Sequence, residues 1–358
     1  MTLVDNPKNI EQEPLRRERL FYFRDMIRIW MLLLFVTMGS CGRNPKRVQM
    51  MNQGPAQGST FSISYLVPEG VDYRTEIDSI LDEMDAQMSL WIENSEISRL
   101  NRGDSIFLSG SFQNVIMKSL LYSELTDGAF DITIGPLIKA WGFSGGVHKD
   151  RVNVDSLMNY VGYNRLIASR PNAMLEKYAL PSGFEIDVNG IAQGFTVDLV
   201  VNLLKNKGVE NYMVEIGGAV RCQGTNIQGR EWRIGIEEPS EQRIAGQFQT
   251  IVELDTMSLA TSGNYRKYWE DERGQKVVHS IDPETGMPFI SNLLSASIIA
   301  PNATMADALA TASMIKGVLG AIEMIEQFPG AEGYFIVGTK LGEIEVQQTS
   351  GWEKYSIK

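Results

Sequence analysis

Between Tyr212 and Ala300 the chain strings together short apolar runs, at Tyr212–Ile216, Ala219–Cys222, Trp232–Glu237, Phe248–Leu254, Val277–Ile281 and Ser295–Ala300. Their lengths suit strands, and helical periodicity is confined to segments before and after them. An earlier strand, Ser59–Val67, alternates and stops at Pro68-Glu69-Gly70, followed by helical spacing over Val71–Trp91 and Phe112–Leu125. A strand at Phe184–Asp187 leads into a helix that runs to Lys207 and closes on Gly208. Helices at Thr304–Ile315 and Val318–Phe328 precede final strands near Gly333–Val337 and Gly342–Gln347. Clustered strands with helices grouped at both ends point to an α+β fold with mixed or antiparallel sheets rather than a doubly wound one. No linker interrupts residues 56–358, so a single domain is expected there.

The first 40 residues read differently. Arg16, Arg17, Arg19, Arg24 and Arg28 precede the apolar run Ile29–Val36 and then Met38-Gly39-Ser40-Cys41. Charge, a run of about ten apolar residues and small residues before a cut site make an export signal over 1–40. Met-Gly-Ser-Cys resembles a lipobox, with Cys41 as the acylated residue, and 41–55 is expected to be a tether. Such a chain sits on the outer side of a bacterial membrane, most simply the periplasmic face of the inner one. Among 358 residues there are two Cys and two His, and the formal net charge is −11. This excludes a disulfide scaffold and a soft-ligand metal centre, and argues against nucleic acid as a partner. Any bound metal would be a hard, oxygen-liganded cation.

Five segments could carry chemistry. Gly128-Ala129-Phe130-Asp131 continues to Gly135-Pro136 and reads alone as a turn. Asp187-Val188-Asn189-Gly190-Ile191-Ala192-Gln193-Gly194-Phe195 opens a helix whose N-terminal N–H groups suit an anion, although taken alone a helix start capped by Asp187 is the favoured reading. Glu215-Ile216-Gly217-Gly218 reads as a hairpin turn. Ala260–Arg266 and His279-Ser280-Ile281-Asp282-Pro283 bring in one of the two histidines; the other, His148, reads as a loop residue. Finally, Asp307 and Thr311 stand one helical turn apart in an otherwise apolar stretch. A carboxylate and a hydroxyl on one face suit Mg²⁺; a capping box from Thr304 to Asp307 is the alternative.

Taken in this order, with Met88-Ser89-Leu90-Trp91 and Asn94–Asn101, these segments resemble the ApbE family of FAD:protein FMN transferases from about Gln57 to Gly338. The resemblance implies a flavin groove lined by Gln57, Trp91, Ala129, Phe130, Asp131, Asp187, Gln193 and Ile281. It implies Mg²⁺ on Asp307, Thr311 and the Gly190 carbonyl, and a proton-accepting role for His279 or Asp307. Two positions depart from the family: Gln57-Gly58-Ser59 replaces Met-Gly-Thr, and Gln193 replaces Lys. The implied reaction passes FMN from FAD to a Thr or Ser hydroxyl of an acceptor protein, by analogy a membrane redox subunit, and releases AMP. FAD hydrolysis to FMN and AMP, or a non-catalytic FAD-binding lipoprotein, are the alternatives.

Overall fold

The computed structural model describes residues 46–143, 152–167, 177–239, 248–264, 268–270, 276–339 and 343–357. The segment 1–40 read as an export signal, Cys41 and His148 lie outside these residues. Twelve strands are present among them: β1 (Arg47–Ala56), β2 (Ser59–Pro68), β3 (Tyr212–Ile216), β4 (Ala219–Gln223), β5 (Trp232–Glu237), β6 (Phe248–Leu254), β7 (Ser258–Gly263), β8 (Tyr268–Glu270), β9 (Lys276–Val278), β10 (Leu293–Ala300), β11 (Glu332–Gly338) and β12 (Ile344–Gln348). Eight of them form one sheet in the order β1-β2-β3-β4-β7-β10-β11-β12, antiparallel throughout. The other four make the hairpins β5-β6 and β8-β9. The principal helices are α1 (Arg74–Met88), α2 (Glu96–Asn101), α3 (Gly110–Leu125), α4 (Gly135–Ala140), α5 (Val154–Leu157), α6 (Tyr163–Ile167), α7 (Ala192–Asn206) and α8 (Ala303–Ile325).

Side chains of β10 divide between two cores with the period of a strand: Ala296, Ile298 and Ala300 face the helices, while Ile299 faces the opposite side. The larger core joins the sheet to α1, α3, α7 and α8 through Ile63, Leu81, Phe112, Val200 and Leu309. The smaller seals the other face with Trp232, Val252, Leu254 and Trp352. Cys222 lies in this second core, and burial pushes its thiol well above the usual range, so it serves there as a small apolar side chain.

Four details differ from the sequence expectation. Residues from Arg47 onward are not a tether: β1 pairs with β2 along its whole length, from Arg47 opposite Pro68 to Ala56 opposite Ser59. Its polar composition disguised an edge strand, which needs only one apolar face. Phe184–Asp187 is extended but joins no ladder; the Asn101 side chain instead accepts from Ile186 N at 2.8 Å and donates to Ile186 O at 2.9 Å. The segment Ser258–Gly263, read only as a motif, is the central strand β7. The two carboxy-terminal helices run on as α8, but Gly317 breaks the path with φ 64° and ψ 177°, near the boundary that the sequence implied. Half of α8 is buried, as befits a core helix.

Candidate active site

The site is built where α7 meets α8. Gly194, in the first turn of α7, has no room for a side chain: a Cβ there would stand 2.2 Å from the Ala303 carbonyl oxygen and 2.8 Å from Asp307 Cβ. That close approach lets Gly194 N–H donate to Asp307 Oδ2 at 2.9 Å. One turn further along α8, the Thr311 hydroxyl donates to the Gly190 carbonyl at 3.3 Å and lies 3.5 Å from Ser262 Oγ on β7. Asp307 is therefore not the helix cap; Asn302 caps α8 by accepting from Met305 N at 2.9 Å. Burial pushes the Asp307 carboxyl up to about 6, against the opposing pull of Gly194 N–H, and the nearby charge of Asp198 adds to the rise.

Several expected flavin positions gather round this seam. A Cβ on Gly190 would lie 2.9 Å from Thr311 Oγ1 and 3.2 Å from Phe130 Cε2, so Phe130, Gly190 and Thr311 share one wall. Asp187 N donates to Ile132 O at 2.8 Å, and its carboxylate accepts from Asn189 N, shaping the turn ahead of α7. The Gln193 amide occupies the space where a Gly217 side chain would be, against the β3-β4 hairpin turn. Gly217 and Gly218 take φ 62° and 99°, the double left-handed turn such a hairpin requires. Gln57 stands in the β1-β2 turn, where its Nε2 donates to Thr196 Oγ1 at 2.6 Å. Its buried Oε1 has no hydrogen-bond partner among the described residues.

Three expected residues are placed otherwise than a direct side-chain contact would need. Asp131 is buried, with Oδ1 accepting from Thr133 N and Oγ1 and Oδ2 accepting from Tyr163 N, so its carboxylate organises the loop. Desolvation still raises its carboxyl above the ordinary value. Ala129 is buried as well, and Ile281 packs inward with Leu137, Ile138 and Val161. Trp91 is the opposite case, 66% exposed, on a segment tied to Ile186 through Asn101. His279 stands edge-on to Phe143, with ring centroids 6.3 Å apart. Its neighbour Ser280 donates to Asn264 Oδ1 at 2.6 Å, one residue past the end of β7.

The donor set fits a hard cation. Asp307 supplies one carboxylate, Thr311 a hydroxyl and Gly190 a carbonyl that the missing Cβ lets Thr311 approach, with no sulfur or imidazole among them. Among the described residues no group of three or more His, Cys, Asp or Glu is placed to hold a metal, so a cation here would complete its shell with ligand or water oxygens. The sequence marked the segments that contain Ser262 and Gly194 but gave neither residue a role of its own. Sequence reasoning missed Asp198, a lone carboxylate on the apolar helix α7, which the argument applied to Asp307 would have marked.

The ApbE family matches residues 57–335. An FAD:protein FMN transferase of Vibrio cholerae is 35% identical over 304 residues, 81% of this chain and 88% of that protein. One of Haemophilus influenzae is 32% identical over 337 residues, 89% and 94% of the two chains. Among solved structures, the flavin transferase ApbE from Vibrio cholerae superposes with a TM-score of 0.73 at 32% identity, covering 87% of this chain and all of that one. The Pseudomonas stutzeri flavinyl transferase ApbE gives 0.73 at 28%, covering 86% and 96%. Shared sequence and shared fold thus run over most of both partners, and the chain belongs to the ApbE family.

Proposed function

We propose that this chain transfers the FMN moiety of FAD to a Thr or Ser hydroxyl of an acceptor protein, with release of AMP and dependence on Mg²⁺. The observation that carries this reading is the oxygen-only group of Asp307, Thr311 and Gly190 at the α7–α8 seam. Mg²⁺ held by these oxygens would neutralise charge on the two phosphates of FAD. The acceptor oxygen forms a bond to the FMN-side phosphorus, the bond from that phosphorus to the bridging oxygen breaks, and AMP carries the bridging oxygen away. His279, or the Asp307 carboxylate, takes the hydroxyl proton. Phe130 and the Gly190 backbone lie against Thr311 at the seam, and the Asp187 turn precedes α7, whose Gln193 packs against Gly217.

Mixing the protein, FAD and a candidate acceptor with or without Mg²⁺ tests this, by in-gel flavin fluorescence and AMP release. Covalent flavin that requires Mg²⁺ is expected. Equal AMP release without acceptor would make the chain an FAD hydrolase, and tight FAD binding with neither product would make it a carrier. His279→Ala should slow transfer on the order of 10²- to 10⁴-fold with FAD affinity little changed; an unaltered rate would leave His279 a packing partner of Phe143.

Export and acylation at Cys41 complete the proposal, with a membrane redox subunit as acceptor. A tether shared with a membrane-bound acceptor raises their effective concentration without any new contact. Cys41→Ser should move the protein from the membrane to the soluble fraction; retention in the membrane would refute the lipid anchor.

A further inference from the structure

We infer that Asp198 is the positioning residue that sets the register of α8 on α7, and so aligns Asp307 and Thr311 with the Gly190 carbonyl. The inference rests on the cation reading above. Asp198 lies one turn beyond Gly194 on α7, facing the same seam. Its Oδ1 accepts from Ala303 N at 3.0 Å, and its Oδ2 accepts from Thr304 N at 2.9 Å and from Thr304 Oγ1 at 2.6 Å. A carboxylate at a helix N-terminus also suits the helix dipole. Asn302 already caps α8 from within its own segment, through Met305 N. The hydrogen bonds from Asp198 therefore add something a cap does not: they come from a different helix and fix both the rotation and the translation of the first turn.

Helix geometry makes that register matter. Each residue advances about 1.5 Å and turns about 100°, so a slip of one position would swing Asp307 and Thr311 off the seam together. Gly194 and Asp198 hold α8 at two points a turn apart, one at Asp307 and one at Ala303 and Thr304. The Arg221 guanidinium adds a third hold just ahead of the helix, donating to the Pro301 carbonyl and to Ser258 Oγ.

The test compares Asp198→Ala and Asp198→Asn with Asn302→Ala, which removes a cap of the same helix without touching α7. Two quantities are read: the Mg²⁺ concentration that half-saturates FMN transfer, and the Mg²⁺-induced shift in melting temperature of the FAD-free protein. Asp198→Ala is expected to raise the half-saturating concentration tenfold or more and to reduce the melting shift to under half. Asp198→Asn, which keeps one acceptor oxygen, should fall between it and the wild type and serves if the alanine variant fails to fold. Asn302→Ala should lower the melting temperature while keeping the wild-type Mg²⁺ requirement. Asp198 variants that match Asn302→Ala in both readouts would overturn the inference and leave the cation site standing. Wild-type transfer indifferent to Mg²⁺ would overturn both together.

Discussion

Asp307→Asn abolishes FMN transfer, with a loss on the order of 10³-fold or more, and leaves the cation-free protein at least as stable as the wild type at pH 7. The two effects have one cause. Asparagine is nearly the same size and its Oδ1 still accepts from Gly194 N–H, so the α7–α8 seam keeps its packing. It lacks the negative charge needed to hold a hard cation beside Thr311 and Gly190. Without a bound cation that charge is costly to the folded chain, since burial raises the Asp307 carboxyl from 3.8 to about 6. A raised carboxyl pKa means that the folded state holds the proton more tightly than the unfolded chain. The penalty is therefore absent below about pH 4, grows as pH rises through 4 to 6, and is complete at 7. The full shift corresponds to at most about 3 kcal/mol, reduced because the side chain keeps some solvent contact. Thermal unfolding without metal should show the variant gaining on the wild type from pH 4 to 7, and Mg²⁺ should raise only the wild type. A variant that loses stability at pH 7 would show that the carboxylate is satisfied without a cation.

The sequence made the strands of the central sheet legible because β3 and β10 are apolar runs with clear turn residues at their ends, and the Gly217-Gly218 hairpin could take only one form. β1 escaped because an edge strand carries half the apolar signal, and Gln49, Asn52 and Gln53 resemble linker composition. The site was legible as residue types and largely illegible as geometry. The i, i+4 spacing of Asp307 and Thr311 marked a shared helix face, but whether Asp307 capped its own helix depended on a contact across to Gly194, 113 positions away. The inward turn of Asp131 likewise depends on Tyr163, far along the chain, and nothing local distinguishes a carboxylate facing a groove from one that pins a loop. Periodicity reports which face a residue occupies; it does not report what lies opposite.

Gly194→Ala should disable the enzyme, although by local propensity alone it ought to help. Replacing glycine by alanine inside a helix normally gains about 1 kcal/mol, and Gly194 sits in α7 with no left-handed torsion to protect. Opposing this is a contact no rotamer change can relieve. The added methyl would stand 2.2 Å from the Ala303 oxygen and 2.7 Å from its carbonyl carbon, both backbone. Ala303 cannot retreat alone, because Asp198 holds its N–H at 3.0 Å. Overpacking of this kind costs about 1–3 kcal/mol, sometimes more, so the clash outweighs the propensity and α8 must move from α7. The Gly194–Asp307 hydrogen bond then lengthens and the carboxylate leaves its place at the α7–α8 seam, so transfer should fall by at least about tenfold even at saturating Mg²⁺. Gly320→Ala, farther along α8, is the control: its methyl meets only Lys316 side-chain carbons, at 3.3 and 3.8 Å. That variant should be neutral or gain up to about 1 kcal/mol with activity intact. Equal stability and equal transfer for the two variants would mean that the seam tolerates separation, and that the position of Asp307 is not set by the contact at Gly194.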